Sequence, residues 1–457
     1  MNSSRSAFLP VAMIDVALVN TGMYFSFYVR FGGEIPKASI EPFIQLIPFI
    51  SLVLIIMFWS FGLYSSRFRR YSEIVYSIGL SIIILNVLSA TMTFFVRGFS
   101  FPRSVLIISG FIEFGLLSIW RCMLQYAFEL GDGFRTVTVV GQDGYMDIFS
   151  ERLYHLIGRK YEIRHVLNGN ESNEPLDLEH AINRTDIVCL NSTVPQEVKE
   201  RIMELCLELD KELILIPTIY EIMMHNVTMD NMDDVPIFRI EPLQIRPAYQ
   251  LRKRLFDVVV SAVGLVVLLP LFLLLAVLIK VDSPGPVFYK QVRVGLGGSK
   301  FRLIKFRTMV NDAEKRTGPV LALENDHRVT NVGRFLRKTR LDELPQLINI
   351  LKGEMSLVGP RPERPFFVNQ FSGEIPGYEH RLKVKPGITG LAQIMGKYDT
   401  DPEDKLRYDL YYMKNYSPLL DIQIIFQTLR VALTPDAARG VSEQRPVVNG
   451  RIRLPGK

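Results

Sequence analysis

Two acidic residues stand side by side in the stretch Arg340-Leu341-Asp342-Glu343-Leu344-Pro345-Gln346-Leu347-Ile348-Asn349-Ile350-Leu351-Lys352-Gly353. Its punctuation predicts a helix, with Asp342 as N-cap, Pro345 in the first turn and Gly353 as the stop. Leu344, Leu347, Ile348 and Leu351 then form one apolar stripe. Asp342 and Glu343 lie at the positive end of that helix's dipole, which favours ionised carboxylates. Capping accounts for Asp342 but does not require Glu343. Two carboxylates among arginines can supply a nucleophile and a ligand for a hard cation such as Mg²⁺. Downstream follows Gly359-Pro360-Arg361-Pro362. Two prolines stiffen this short loop and hold Arg361 in a fixed direction, as bidentate phosphate recognition needs.

The segment before the acidic pair is strongly basic. Residues 280–340 hold 14 Lys or Arg against 5 Asp or Glu, a local excess of +9 in a chain whose net charge is +6. Arg293, Lys300, Arg302, Lys305, Arg307, Arg334, Arg337, Lys338 and Arg340 recur among glycines and apolar residues. Such a cluster attracts phosphates or anionic lipid headgroups. Nucleic acid would give a similar charge signal, but no nucleic-acid module is recognisable and the chain carries membrane segments, so none is expected as a partner.

The elements that must position these residues follow from composition and periodicity. The chain has 457 residues, 48% hydrophobic and 22% charged, with a mean hydropathy of +0.18. Disorder is excluded by that hydrophobicity, and an all-membrane transporter by the many charges that must sit in water. Three cysteines (Cys122, Cys189, Cys206) make no disulfide framework and fit reduced, cytosolic soluble domains. Four apolar stretches, near 8–29, 43–64, 74–96 and 104–127, each approach the ~20 residues that cross hydrocarbon. Arg67, Arg69 and Arg70 place the middle loop, and with four spans both ends, in the cytoplasm. Asp15 and Glu113 fall within spans, where the ordinary reading is an interfacial or helix-facing acid.

From Arg135 short apolar strands alternate with amphipathic helices. Val137–Gly141, Glu162–Leu167, Asp186–Leu190 and Glu212–Pro217 read as strands of a parallel sheet covered by helices, a Rossmann-like arrangement. The first turn carries only Gly141 and Gly144, short of the G-x-G-x-x-G fingerprint, and is expected to be a tight strand-to-helix turn without a cofactor. A Tyr249-to-Lys253 spacing mimics a short-chain dehydrogenase pair without the glycine loop that should accompany it. Leu255–Ile279 is a fifth apolar segment, long enough for roughly 37 Å of helix. Pro270 inside it removes a hydrogen bond and predicts a kink. It can be a fifth span, or a broken helix that enters the membrane and returns; Arg252, Lys253, Arg254 and Lys280 on its flanks suit the second.

These residues resemble the bacterial sugar transferase family, the polyprenyl-phosphate phosphoglycosyl transferases, in its long form. The resemblance rests on Lys253-Arg254-Leu255-Phe256-Asp257, the Pro270 helix, Phe306-Arg307-Thr308-Met309, the Asp342-Glu343 segment, Gly359-Pro360-Arg361-Pro362 and Lys385-Pro386-Gly387-Ile388-Thr389-Gly390, covering about 250–435. Where family members often carry Ser-Pro at the helix break, this chain has Leu269-Pro270. The resemblance implies transfer of a sugar-1-phosphate from a UDP-sugar to undecaprenyl phosphate, with release of UMP, in the priming of capsule, O-antigen or exopolysaccharide synthesis. It gives Asp342 the role of nucleophile, Glu343 with Asp342 that of Mg²⁺ ligand, and Arg361, Lys305, Arg307 and Arg340 those of phosphate-binding cations. It further implies a homodimer at the bacterial inner membrane.

Nucleotide sugars are cytosolic, so the catalytic domain must be too, which favours a re-entrant helix over a fifth span. The expected organisation is a membrane protein of mixed α and α/β class: a four-helix transmembrane bundle over 1–130, a Rossmann-like domain over 131–248, a re-entrant helix over 249–282 and a mostly helical catalytic domain over 283–457. Two other readings compete: a glycosyltransferase using Asp399-Thr400-Asp401 as a D-x-D metal motif and releasing UDP, and a non-enzymatic membrane sensor or scaffold. Which sugar is used is not legible; residues 396–409 offer Lys397, Tyr398, Arg407 and Tyr408.

Overall fold

The computed structural model describes residues 2–64, 71–97, 102–131, 135–141, 161–169, 175–192, 194–225, 227–240, 242–310, 328–396, 400–433, 447–448 and 451–452. The chain divides into two compact units, one of residues 1–55 and 64–221, the other of residues 56–63 and 222–457.

The first unit opens with four long apolar helices, α1 (Asn2–Phe31), α2 (Lys37–Ser60), α3 (Tyr71–Arg97) and α4 (Arg103–Gly131). Each contains a stretch long and apolar enough to cross a membrane, matching the four expected from sequence. Helix α4 packs against α1 and α3. The two acids inside the spans point inward. Asp15 on α1 pairs with Arg121 on α4 at 2.5 Å, both buried, and Glu113 is fully buried beside Gly22. Arg67, Arg69 and Arg70 lie outside the described residues.

After α4 come β1 (Arg135–Gly141), β2 (Tyr161–Asn168), α5 (Pro175–Asn183), β3 (Ile187–Leu190), α6 (Gln196–Glu208) and β4 (Glu212–Leu215). The four strands form one parallel sheet in the order β2-β1-β3-β4, with Val137 opposite Ile187 and Ile187 opposite Glu212. All four expected strands are present. Val137, Val139, Ile187 and Cys189 fill one face, and Val140, Val188 and Leu190 join Ile202 and Leu205 of α6 on the other. Burial on both faces is why the two central strands, β1 and β3, are largely apolar. The turn after Gly141 lies outside the described residues.

The second unit is built around α8 (Pro247–Asp282), which follows the short helix α7 (Ile219–Met224) and the ribbon β5 (Thr228–Met232) and β6 (Val235–Arg239). Helix α8 has 36 residues and carries Pro270 inside it. Pro270 lies within this one helix, which continues on both sides of it. One side of α8 is apolar and exposed, with Val266 at 74% and Val281 at 81%. The other side packs on the rest of the second unit in two stretches, 253–261 and 275–279. Near its start, Lys253 Nζ lies 2.6 Å from Asp421, Arg254 donates to the carbonyls of Ile350 and Leu351, and Asp257 accepts from the Leu357 N–H at 3.0 Å. Near its end, Leu275 and Ile279 pack with Phe306 and Leu336. Lys253 and Asp421 are 9% and 4% exposed, so removing one partner strands a buried charge. Lys253→Met should cost about 3 kcal/mol of stability, read as a lowered thermal midpoint in detergent.

The elements that follow are β7 (Phe288–Val294), β8 (Lys300–Phe306), α9 (Asn331–Thr339), α10 (Gln346–Lys352), β9 (Ser356–Val358), α11 (Pro365–Glu374), β10 (Gly387–Thr389), α12 (Leu391–Met395), α13 (Pro402–Lys414), α14 (Pro418–Leu433) and the short antiparallel pair β11 (Val447–Val448) and β12 (Arg451–Ile452). Strands β7 and β8 form an antiparallel hairpin, and β9 and β10 a short parallel pair. Helix α9 starts where the Thr330 hydroxyl accepts from the Gly333 N–H, a regular N-cap. It stops at Arg340, whose φ of 59° is left-handed without being glycine.

Candidate active site

Asp342 and Glu343 sit in a single 3₁₀ turn, Leu341–Glu343, wedged between α9 and α10. The expected helix is thus shorter than its sequence suggested. Asp342 caps nothing; Pro345 occupies the position before α10, and Gly353 ends it at φ 86° as expected. The buried face is also rotated from the expected stripe. Gln346, Leu347, Asn349 and Ile350 are the buried positions, while Leu344, Ile348 and Leu351 are half-buried. Asn349 explains the rotation: it accepts from the Ile304 N–H and donates to the Arg302 carbonyl, fastening α10 to β8. A buried amide satisfying strand groups is invisible to an apolar-periodicity argument.

The fastening brings β8 beside the acidic turn. Lys305 Nζ on β8 donates to Glu343 Oε1 at 2.9 Å, and Arg361 Nη2 donates to the same oxygen at 3.0 Å. Burial would raise the Glu343 carboxyl, but the Arg361 and Lys305 charges overcome it and hold the group well below the usual carboxylate range. Asp342 responds the other way. Burial, and then the Glu343 charge, raise its carboxyl despite Lys305, Arg337 and Arg340 nearby. The helix dipole is therefore not what governs this pair; α10 is too short and begins too late. Among the described residues no hydrogen-bond donor engages the Asp342 carboxyl, leaving its oxygens for an incoming group.

Of the residues singled out by sequence, Asp342, Glu343, Lys305, Arg340 and Arg361 come together. Arg307 does not join them. Its guanidinium donates to the carbonyls of Ser283 at 2.6 Å and Pro284 at 2.8 Å, closing the end of α8, and it is buried there. A cation in a basic run can serve helix carbonyls as readily as phosphates. Asp401 of the D-x-D spacing caps α13, accepting from the Glu403 N–H at 3.0 Å; Asp399, Lys397 and Tyr398 lie outside the described residues. Arg407 is taken by Glu403 and Asp404 on its own helix. Tyr249 stacks edge-on with Tyr416, and Lys253 is held by Asp421, so that pair serves packing.

The loop carrying Arg361 is gripped along its backbone. The carbonyls of Pro360, Arg361, Pro362 and Glu363 accept in turn from the Gly387 N–H, Arg381 Nη2, Arg293 Nη1 and the Val294 N–H, at 2.9 to 3.1 Å. Sequence reasoning missed Arg381 altogether. It pairs with Asp409 at 2.8 Å, with side chains 7% and 2% exposed. Burial pushes the Asp409 carboxyl up to about 6, with Arg381 pulling the other way without cancelling it. A carboxyl whose folded pKa exceeds its unfolded value of about 3.9 stabilises the fold in full only below that unfolded value. Its contribution is lost as pH rises through about 6. Asp409→Asn should therefore flatten the fall in thermal midpoint between about pH 4 and pH 6 and leave the slope above pH 7 unchanged.

A hard cation is the group expected on Asp342 and Glu343. No group of three or more His, Cys, Asp or Glu able to hold a metal occurs among the described residues. Mg²⁺, however, is commonly held by one or two carboxylates plus substrate phosphates. The adjacent Asp342 and Glu343 fit that pattern.

Comparison with known proteins gives a consistent picture. A profile described as bacterial sugar transferase matches residues 248–435. A UDP-glucose:undecaprenyl-phosphate glucose-1-phosphate transferase of Caulobacter vibrioides is 43% identical over 198 residues, 42% of this chain and 74% of that protein. The UDP-N-acetylgalactosamine-undecaprenyl-phosphate N-acetylgalactosaminephosphotransferase of Aeromonas hydrophila is 42% identical over 243 residues, 52% of this chain and 56% of that one. A UDP-glucose:undecaprenyl-phosphate glucose-1-phosphate transferase of Klebsiella pneumoniae is 40% identical over 222 residues, 48% of each chain. The match thus spans about half the length of the last two relatives. The acidic turn, its cations and the gripped Arg361 loop all lie inside the matched region, and the chain belongs to the bacterial sugar transferase family.

Proposed function

We propose that the protein transfers a sugar-1-phosphate from a UDP-sugar to undecaprenyl phosphate through an aspartyl-phosphosugar intermediate on Asp342, releasing UMP. The observation that carries this reading is the division of labour in the acidic turn. Glu343 is committed to Lys305 and Arg361, while the adjoining Asp342 carboxyl carries no such partner. A carboxylate oxygen of Asp342 attacks the β-phosphorus. The new O–P bond forms as the bond from that phosphorus to the bridging oxygen breaks, and UMP leaves with the electron pair. A phosphate oxygen of undecaprenyl phosphate then attacks the same phosphorus and returns the Asp342 carboxylate. Arg361 and Lys305 stabilise the charge that spreads over the phosphoryl oxygens. Arg340, in its left-handed turn beside the pair, adds a further cation. Glu343, with Asp342 beside it, would hold Mg²⁺, which when bound neutralises the diphosphate charge.

One substrate is soluble and the other bilayer-bound, so the site must face water at membrane height. Helix α8 supports a re-entrant arrangement, bent at Pro270. A straight helix of its length would reach about 54 Å, well beyond the ~30 Å of hydrocarbon. Yet Lys253 and Asp257 near one end, and Ile279 near the other, pack on the same soluble unit. A spanning helix would put those contacts on opposite sides of the bilayer. On this reading α1–α4 form a transmembrane bundle in the inner membrane, β1–β4 form a Rossmann-like domain, and the enzyme, as a homodimer, primes a cell-surface polysaccharide.

The test is a panel of UDP-glucose, UDP-galactose and UDP-N-acetylgalactosamine with undecaprenyl phosphate and Mg²⁺, following the nucleotide released. UMP supports the reading; UDP would assign the chain to ordinary glycosyl transfer instead.

A further inference from the structure

We propose that Arg381 is the positioning residue for Arg361, and that Asp409 and Tyr378 hold Arg381 in place for it. The inference rests on the reading of Arg361 as a phosphate-binding residue and adds what aims it.

Arg361 has a half-exposed side chain, 37% by area, anchored at its tip by Glu343 alone among the contacts given above. A free arginine side chain carries about 2 kcal/mol of rotamer entropy, so its direction depends on how firmly its backbone is fixed. Three of the four donors on the 360–363 carbonyls are strand groups or an arginine on β7. The donor on Arg361 itself comes from the 3₁₀ segment Tyr378–Lys383. Arg381 reaches it with Nη2 at 3.1 Å, while Nη1 donates to the Tyr378 hydroxyl at 2.5 Å. The guanidinium also lies over the Tyr378 ring, 5.0 Å from its centroid, and Asp409 of α13 closes the other side. A guanidinium so surrounded has one orientation, and that orientation places a charge-assisted hydrogen bond on the Arg361 carbonyl.

The energetics argue against a purely stabilising role. Buried ion pairs seldom outperform apolar packing of the same volume, because two charges must leave water. The raised Asp409 carboxyl is the sign of that cost. A costly pair in which Nη2, the nitrogen that meets Asp409, also donates to the Arg361 carbonyl makes sense as a device for direction.

The experiment is a double-mutant cycle on kcat/KM for UMP release, using the full-length protein in detergent with thermal midpoints for each variant. Arg361→Ala should lower kcat/KM about 100-fold, and Asp409→Asn and Tyr378→Phe each about 10-fold. If Arg381 acts through Arg361, adding Asp409→Asn to Arg361→Ala changes nothing further, and the pair stays near 100-fold rather than about 1000-fold. Losses that multiply would overturn the proposal, as would wild-type activity in both Asp409→Asn and Tyr378→Phe. Tyr378→Phe keeps the ring and removes one hydroxyl, so it decides the matter should Asp409→Asn fail to fold. An active Asp342→Asn alongside a non-additive cycle would remove the covalent chemistry and leave the positioning intact. An unimpaired Arg361→Ala would remove the role of Arg361 and the positioning with it.

Discussion

Asp342→Asn should abolish turnover, by about 10⁴-fold or more, while leaving the folded protein intact. The amide is isosteric, and the wild-type carboxyl is engaged by no hydrogen-bond donor among the described residues, so the fold loses no contact. Glu343 keeps both cations, Lys305 at 2.9 Å and Arg361 at 3.0 Å, so the phosphate-attracting field survives. What disappears is an oxygen nucleophile able to leave again as a carboxylate. Binding of UDP-sugar should persist within a few-fold, because the substitution removes an interaction made only on the way to the transition state. Incubation of the wild type with a radiolabelled UDP-sugar and no lipid acceptor should leave label on the protein, and Asp342→Asn should carry none. Retention of full activity in Asp342→Asn would refute the covalent mechanism outright.

Gly387→Ala should remove the folded protein rather than its activity. A methyl group at Gly387 would collide with the backbone nitrogen of Gly359 and the carbonyl oxygen of Thr389, and one at Gly390 with the carbonyl oxygen of Gly359. These are backbone atoms of the β9–β10 pair and cannot turn aside as a side chain could. The pair also supplies the Gly387 N–H that fixes the Pro360 carbonyl, so any separation would release the Arg361 loop. Overpacking of this kind costs about 3 kcal/mol or more, a large share of a typical domain's stability. The expected result is little monodisperse protein after extraction and a depressed thermal midpoint in what remains. Gly373→Ala is the control: it lies within α11 with nothing near its added methyl, so stability should hold or rise slightly.

How legible the site was in the sequence depended on how local each signal is. The four strands of the parallel sheet and the apolar helices were readable because burial patterns repeat within a few residues. The prolines around Arg361 did announce a stiff loop. They did not announce that four donors, two from β7 and two from the 381–387 stretch, would take its carbonyls, since those partners are distant in sequence. Arg307 and Lys305 illustrate the limit in two neighbouring cations. Lys305 lies within β8 and reaches Glu343, whereas Arg307 stands just past the strand's end at Phe306 and turns to the end of α8. Charge density alone cannot separate a phosphate-facing cation from one that closes a helix. The capping role expected of Asp342 failed because Arg340 adopts a left-handed turn and a 3₁₀ segment intervenes before α10. Asn349 was passed over because a polar residue within an apolar stripe looks like an interruption, whereas here it joins helix to strand.

The long-range anchoring of α8 also sets a timetable for synthesis. Lys253 meets Asp421 across 168 residues, and Asp257 meets the Leu357 N–H across 100. At about 5–20 residues per second, on the order of ten to thirty seconds separate translation of Lys253 from that of Asp421. Throughout that interval a long apolar helix has left the ribosome with Lys253 at its start still unpaired. On the re-entrant reading proposed above, the bilayer surface would shelter α8 before the fold of the second unit exists to hold it, and that unit would assemble onto a helix already in lipid.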